Sequence, residues 1–110
     1  METKQVLAAL AALAQESRLA IFRLLIQAGP AGLPAGKIGE ELGIASSALS
    51  FHLKELSHAK LITSRNEGRF VIYSADVAVI GFNFFPRGDN FGGNNQEFYK
   101  LLSQTLVSFF

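Results

Sequence analysis

The sequence predicts a mostly helical α+β fold: a winged helix-turn-helix with a two-stranded β-hairpin wing and helical dimerisation elements at both ends. Three observations predict it. From Ile38 onward, a short helix signal is followed by a four-residue break and a second helix with leucines down one side. Two β-prone runs, 61–65 and 69–74, flank Asn66-Glu67-Gly68, a turn signal. Outside this unit, apolar helical patterns stand near the N-terminus and again from Gln96. A helix-turn-helix with such a wing is a shape that lays one helix in the major groove of DNA.

The elements follow in order. Residues 4–14 are strong helix formers, with Val6, Leu7, Leu10 and Leu13 at helical spacing and no polar face to balance them. Such a helix needs a surface to cover it, in the same chain or in a second copy. A second helix runs from about Glu16–Ser17 to Gln27, with Leu19, Ile21, Phe22, Leu24, Leu25 and Ile26 directed to the core. Ala28-Gly29-Pro30 stops it, and the loop A-G-L-P-A-G follows. A short third helix covers 35–42, with Ile38 and Leu42 on one face and Gly43 as its stop. Ile44 plugs the turn, and Ser46 is placed to cap a fourth helix that runs to about Ala59.

At about 100° per residue, Leu49, Leu53 and Leu56 fall in one narrow stripe, with His52 at its edge. Ser47, Phe51, Lys54 and His58 fall on the opposite side, flanked by Ser50. One face is therefore leucine; the other is small, polar and basic. In the hairpin, Arg65 and Arg69 flank the turn and are expected to project from its tip. Beyond Asp76 the composition shifts: residues 81–95 are rich in Gly, Asn and Phe and read as a long loop. The last helix would carry Phe98, Leu101, Leu102, Leu106 and Phe109 as one stripe. Residues 1–76 thus read as the winged unit, and 77–110 as a loop plus C-terminal dimerisation helix of the same domain.

Composition excludes several classes of function. The chain has 110 residues, enough for one modest core. It contains no cysteine, which rules out disulfides, thiolate metal sites, thiol redox switches and cysteine nucleophiles. No apolar run is long enough to cross a bilayer, and the N-terminal apolar stretch carries Glu2 and lacks a basic leader. The expectation is a soluble cytoplasmic protein with no membrane partner. No catalytic set appears, because the serines lack a paired base and the carboxylates do not cluster; no enzymatic activity and no cofactor are expected. Net charge is only +1. Between Ser46 and Ala75, however, Lys54, Lys60, Arg65 and Arg69 face only Glu55 and Glu67, a local balance of +2. Phosphate binding depends on the local patch, and so modest a patch favours a homodimer that doubles its contacts.

Three segments carry a family likeness: A-L-A-Q-E-S-R-L-A-I-F-R-L-L at 12–25, A-L-S-F-H-L-K-E-L at 48–56 and A-K-L-I-T-S-R-N-E-G-R-F-V-I-Y at 59–73. Together they resemble the ArsR/SmtB family of bacterial winged-helix repressors over about residues 4–76. The resemblance implies a homodimer that sits on an operator until a small effector, often a metal ion, arsenite or an oxidant, releases it. Two departures stand out. The family's cysteine-based sensing sites in the third helix meet A-G-K-I-G-E-E-L here, and its Asp/His/Glu sites in the last helix meet a segment offering only Glu97. Family members also pass from wing to last helix within a few residues, whereas about twenty intervene here.

The candidate DNA-binding residues are Ser46, Ser47, Ser50, Phe51, His52, Lys54, Lys60, Arg65 and Arg69. Ser46 caps the helix, and Ser47 and Ser50 reach phosphates or base edges. Phe51 either touches a thymine methyl or folds back onto the wing. His52 contacts DNA or a metal ion or, as a packed histidine, bonds to backbone. Lys54 and Lys60 supply phosphate contacts, and the two wing arginines reach backbone or minor groove. Arg18 holds the fold or touches phosphate. Asp76, Asp89 and Glu97 are spread too widely for an oxygen-ligand metal site, so no metal is expected. The expected function is repression of transcription on a palindromic DNA operator. The rival readings are a winged-helix protein-interaction adaptor, and a DNA binder with a hydrophobic ligand pocket lined by Phe82, Phe84, Phe85 and Phe91.

Overall fold

Four helices and a small antiparallel sheet account for the structure, a computed structural model that describes residues 3–76. The order is α1 (Thr3–Leu13), α2 (Glu16–Ala28), a 3₁₀ turn (Gly29–Ala31), β1 (Leu33–Pro34), α3 (Ala35–Leu42), α4 (Ser46–His58), β2 (Ile62–Glu67) and β3 (Phe70–Ala75). The expected 81–95 loop, the C-terminal helix, the pocket phenylalanines, Asp89 and Glu97 all lie outside the described residues. So does the C-terminal of the two expected dimerisation elements.

Each boundary has a local cause. The Gln15 side chain accepts a hydrogen bond from the Arg18 backbone N–H at 2.8 Å and caps α2. Gly29, at φ 72°, ends that helix by donating back to the Leu25 and Ile26 carbonyls. α3 closes at left-handed Gly43, as the sequence predicts. The break before α4 is three residues long, not four, because Ala45 takes the extended cap position and Ser46 is the first helical residue. No side chain caps α4, so the expected capping role of Ser46 is corrected.

The core forms where the helical stripes meet. Ile21, Phe22, Leu25 and Ile26 of α2 are buried against Ile38 of α3, the Leu49–Leu53–Leu56 stripe of α4, and Leu61 and Ile62 at the base of the wing. α1 joins this core through its alanines. Ala9 and Ala12 face inward, while Leu7 and Leu10 are 60% and 47% exposed. Small alanine side chains let the helix axes approach closely, which places the two leucines on the opposite side.

The sheet has three strands in the order β1-β3-β2, all antiparallel. The third strand is a correction: the A-G-L-P-A-G segment, expected as loop, pairs Leu33 with Tyr73 and Pro34 with Ile72. A proline is tolerated there because β1 is an edge strand. Gly32 is required for this approach. It has φ 67°, and a Cβ on it would lie 2.3 Å from the Tyr73 carbonyl oxygen and 2.6 Å from Ser74 Oγ. The hairpin turn also shifts, from 66–68 to Gly68-Arg69, with Glu67 paired to Phe70. Glycine with positive φ at the first of two loop positions is the requirement of a type II′ turn.

Candidate nucleic-acid interface

The leucine stripe of α4 determines what faces out. With Leu49, Leu53 and Leu56 buried, the opposite side presents Ser47, Ser50, Phe51 and Lys54, all exposed. They stand at i, i+3, i+4 and i+7, so they form one continuous patch. Ser46 is exposed at the first turn and His58 at the last. The outward face is thus laid out as its sequence period predicts.

His52 sits beside this patch, half-buried. Its Nδ1 lies 3.5 Å from Arg18 Nη1, and Arg18 Nε donates to the Ala12 carbonyl at 2.7 Å. A guanidinium only donates, so Nδ1 is the acceptor. His52 is therefore a packed residue, but its partner is a side chain of α2 rather than backbone. Of the two expected roles of Arg18, the structure shows that of holding the fold: it ties α1, α2 and α4 together. The Phe51 ring meets the His52 ring edge-on, with centroids 5.7 Å apart and planes at 64°.

The C-terminal end of α4 carries an unusual lysine. Leu61 N–H donates to the Leu56 carbonyl and Lys60 N–H to the Ser57 carbonyl, both at 3.0 Å. This is a Schellman closure, with buried Leu56 and Leu61 as its apolar contact. The left-handed position usually filled by glycine is Lys60, at φ 63° and exposed.

The two wing arginines part company. Arg69 lies in the turn itself, exposed at the wing tip. Arg65 does not project from the tip, contrary to expectation. Its Nε donates to Glu67 at 2.5 Å, its Nη1 to the Pro30 carbonyl at 3.2 Å and Ser74 Oγ at 3.1 Å, and its Nη2 to the Ala31 carbonyl at 2.7 Å. The physical reason is register: Arg65 pairs with Ile72, which on its other side pairs with Pro34 of β1, so the Arg65 side chain reaches the 3₁₀ turn just before β1. Arg65 fastens the wing to the body. Pairing with Glu67 also removes one cation and one acid from the local balance, leaving Lys54, Lys60 and Arg69 as the other exposed cations of the 46–75 stretch. Two aliphatic or aromatic wing residues, Phe70 and Val71, are exposed as well.

Among the described residues, no group of three His, Asp or Glu side chains is placed to hold a metal ion. Among the same residues, no helix is long and apolar enough to cross a membrane.

Comparison with known proteins agrees with this geometry. Residues 13–65 match a family described as a helix-turn-helix domain. The chain is 33% identical over 64 residues to the transcriptional repressor SdpR of Bacillus subtilis, covering 53% of this chain and 71% of that protein. Its fold is similar to that of HlyU from Vibrio cholerae, with TM-score 0.64 and 26% identity over 96% of this chain and 97% of that one. It is also similar to a homodimeric winged helix-turn-helix DNA-binding domain from Mycobacterium bovis, with TM-score 0.65 and 22% identity over 96% of this chain and 78% of that one. That second structural likeness speaks to fold alone.

Proposed function

The chain belongs to the ArsR family of winged helix-turn-helix transcriptional regulators, and on that premise we propose that it acts as a homodimeric repressor on a palindromic DNA operator. One observation carries the reading: the outward face of α4 is solvent-open and bears Ser47, Ser50, Phe51 and Lys54 as a single patch. In this reading α4 enters the major groove, Ser46, Ser47 and Ser50 contact backbone and base edges, and Lys54, Lys60 and Arg69 contact phosphates. Arg65 and His52 serve indirectly, by holding the wing and the α4 face in place.

The homodimer rests on two supports. Leu7 and Leu10 present an apolar stripe on α1 that the described residues leave uncovered, and the Mycobacterium bovis domain of like fold is homodimeric by its own description. Two α4 helices about 34 Å apart would meet successive major grooves on one side of a duplex. With three cations per protomer, six phosphate contacts give a salt slope of about −5 in log K against log salt.

The test is a gel shift against the DNA upstream of the protein's own gene, at 50 and 200 mM salt. Retardation at low salt that weakens steeply at high salt is the expected result. Exposed Phe70 and Val71, with a net charge of +1, favour a second reading as a protein-interaction adaptor. Absence of retardation at low salt would select that reading and reject the first.

A further inference from the structure

The patch on α4 is polar except at its centre. Phe51 lies one turn from Ser47 and from Lys54, beside Ser50, and is 55% exposed. On the helix surface its neighbours include the short side chains of Ser47, Ala48 and Ser50, and the aromatic ring extends further than these three. One anchored neighbour also lies against it. The ring edge rests on His52 at a centroid distance of 5.7 Å, His52 faces Arg18 at 3.5 Å, and Arg18 Nε is bonded to the Ala12 carbonyl at 2.7 Å. That contact restricts the ring on one side and so reduces the conformational freedom it loses when it meets a ligand.

What such a ring can recognise follows from groove chemistry. Guanine, adenine and cytosine carry no alkyl group on their major-groove edges, and the donors and acceptors they do present lose water without compensation against a benzene ring. Thymine alone among the standard bases presents a methyl group there. We propose that Phe51 is a specificity-determining residue that reads the C5 methyl of a thymine in each operator half-site, with His52 and Arg18 as its positioning residues. The inference rests on the DNA-binding reading above and adds to it a named base and a named group. Ser47 and Ser50, which can donate or accept, tolerate several bases; Phe51 supplies the stringent position.

The experiment has two stages. The full chain first selects duplexes from a random pool, and the selected duplex becomes the probe. Each thymine of the probe is then replaced singly by deoxyuracil, which pairs identically and lacks only the methyl, and affinity is measured by fluorescence anisotropy. Burial of one methyl predicts a loss of about fourfold at one thymine per half-site and little elsewhere. The Phe51→Ala variant is expected to show no such penalty at that thymine, and Phe51→Leu to retain part of it. The inference is overturned if no deoxyuracil weakens the wild-type chain, or if the same penalty persists in Phe51→Ala. Failure to select any duplex removes the DNA-binding reading itself, an outcome distinct from binding that ignores the methyl.

Discussion

At the scale of single residues, Arg65 and Lys60 illustrate opposite relations between stability and function. Arg65 makes four hydrogen bonds: three join β2 to the 3₁₀ turn and to β3, and the fourth goes to Glu67 within β2. Its side chain is 43% exposed, so solvent discounts each bond. Arg65→Ala is expected to destabilise the fold by about 1–2 kcal/mol, read as a fall of about 4–8 °C or more in Tm, and to leave the salt slope of DNA binding unchanged. A reduced slope would show that Arg65 also meets phosphate. Lys60 occupies a left-handed position where glycine is favoured. Lys60→Gly is expected to stabilise the chain by about 0.5–1 kcal/mol in denaturant titrations while weakening DNA binding. A destabilised variant would contradict the conformational account. Neither effect was legible from local pattern. The carbonyls that Arg65 reaches stand 34 and 35 positions earlier in the chain, and no spacing rule connects them. The exposed polar face of α4, by contrast, follows from helical period alone, because burial of three leucines determines where every other side chain points.

At the scale of elements, the helices follow their sequence signals more closely than the strands do. α3 runs over 35–42 as its Ile38–Leu42 face and Gly43 stop predict, and α2 differs from its expected span by one residue at its end. Such helices carry their own signals, in capping residues and a 3.6-residue period. β1 carries none. Two residues ending in proline form a strand only because β3 offers them a free edge. Gly32 makes the pairing sterically feasible, so Gly32→Ala is expected to detach β1 and expose the β3 edge. Amide hydrogen exchange should then speed up at β3 backbone groups that face β1 and hardly change along the β2 side. Equal protection in the variant would mean that the backbone there relaxes at little cost. The N-terminus of α4 lies one position earlier than its sequence signal for a related reason: Ala45, with no polar side chain to signal a cap, adopts the cap conformation.

At the scale of the whole molecule, the stripe on α1 was legible as apolar surplus, although its facing was not. Helical spacing alone does not say which apolar positions turn inward: the interior takes up Ala9 and Ala12, and Leu7 and Leu10 face solvent. An apolar pair of this size on the N-terminal helix is where the account places the second copy. The double variant Leu7→Glu/Leu10→Glu is expected to sediment as a monomer with an unchanged helical spectrum, since neither side chain contributes to the described core. Its DNA affinity should fall steeply, because two half-sites are then bound independently. A double variant that remains dimeric would move the interface elsewhere.

The central claim is that the outward side of α4 is the surface that meets DNA, and the salt dependence of binding by Lys54→Ala against the unmodified chain tests it most directly. On a selected duplex, a dimer that loses two phosphate contacts should bind more weakly and show a log–log salt slope shallower by about two units. A variant whose affinity and slope both match those of the unmodified chain would contradict the claim.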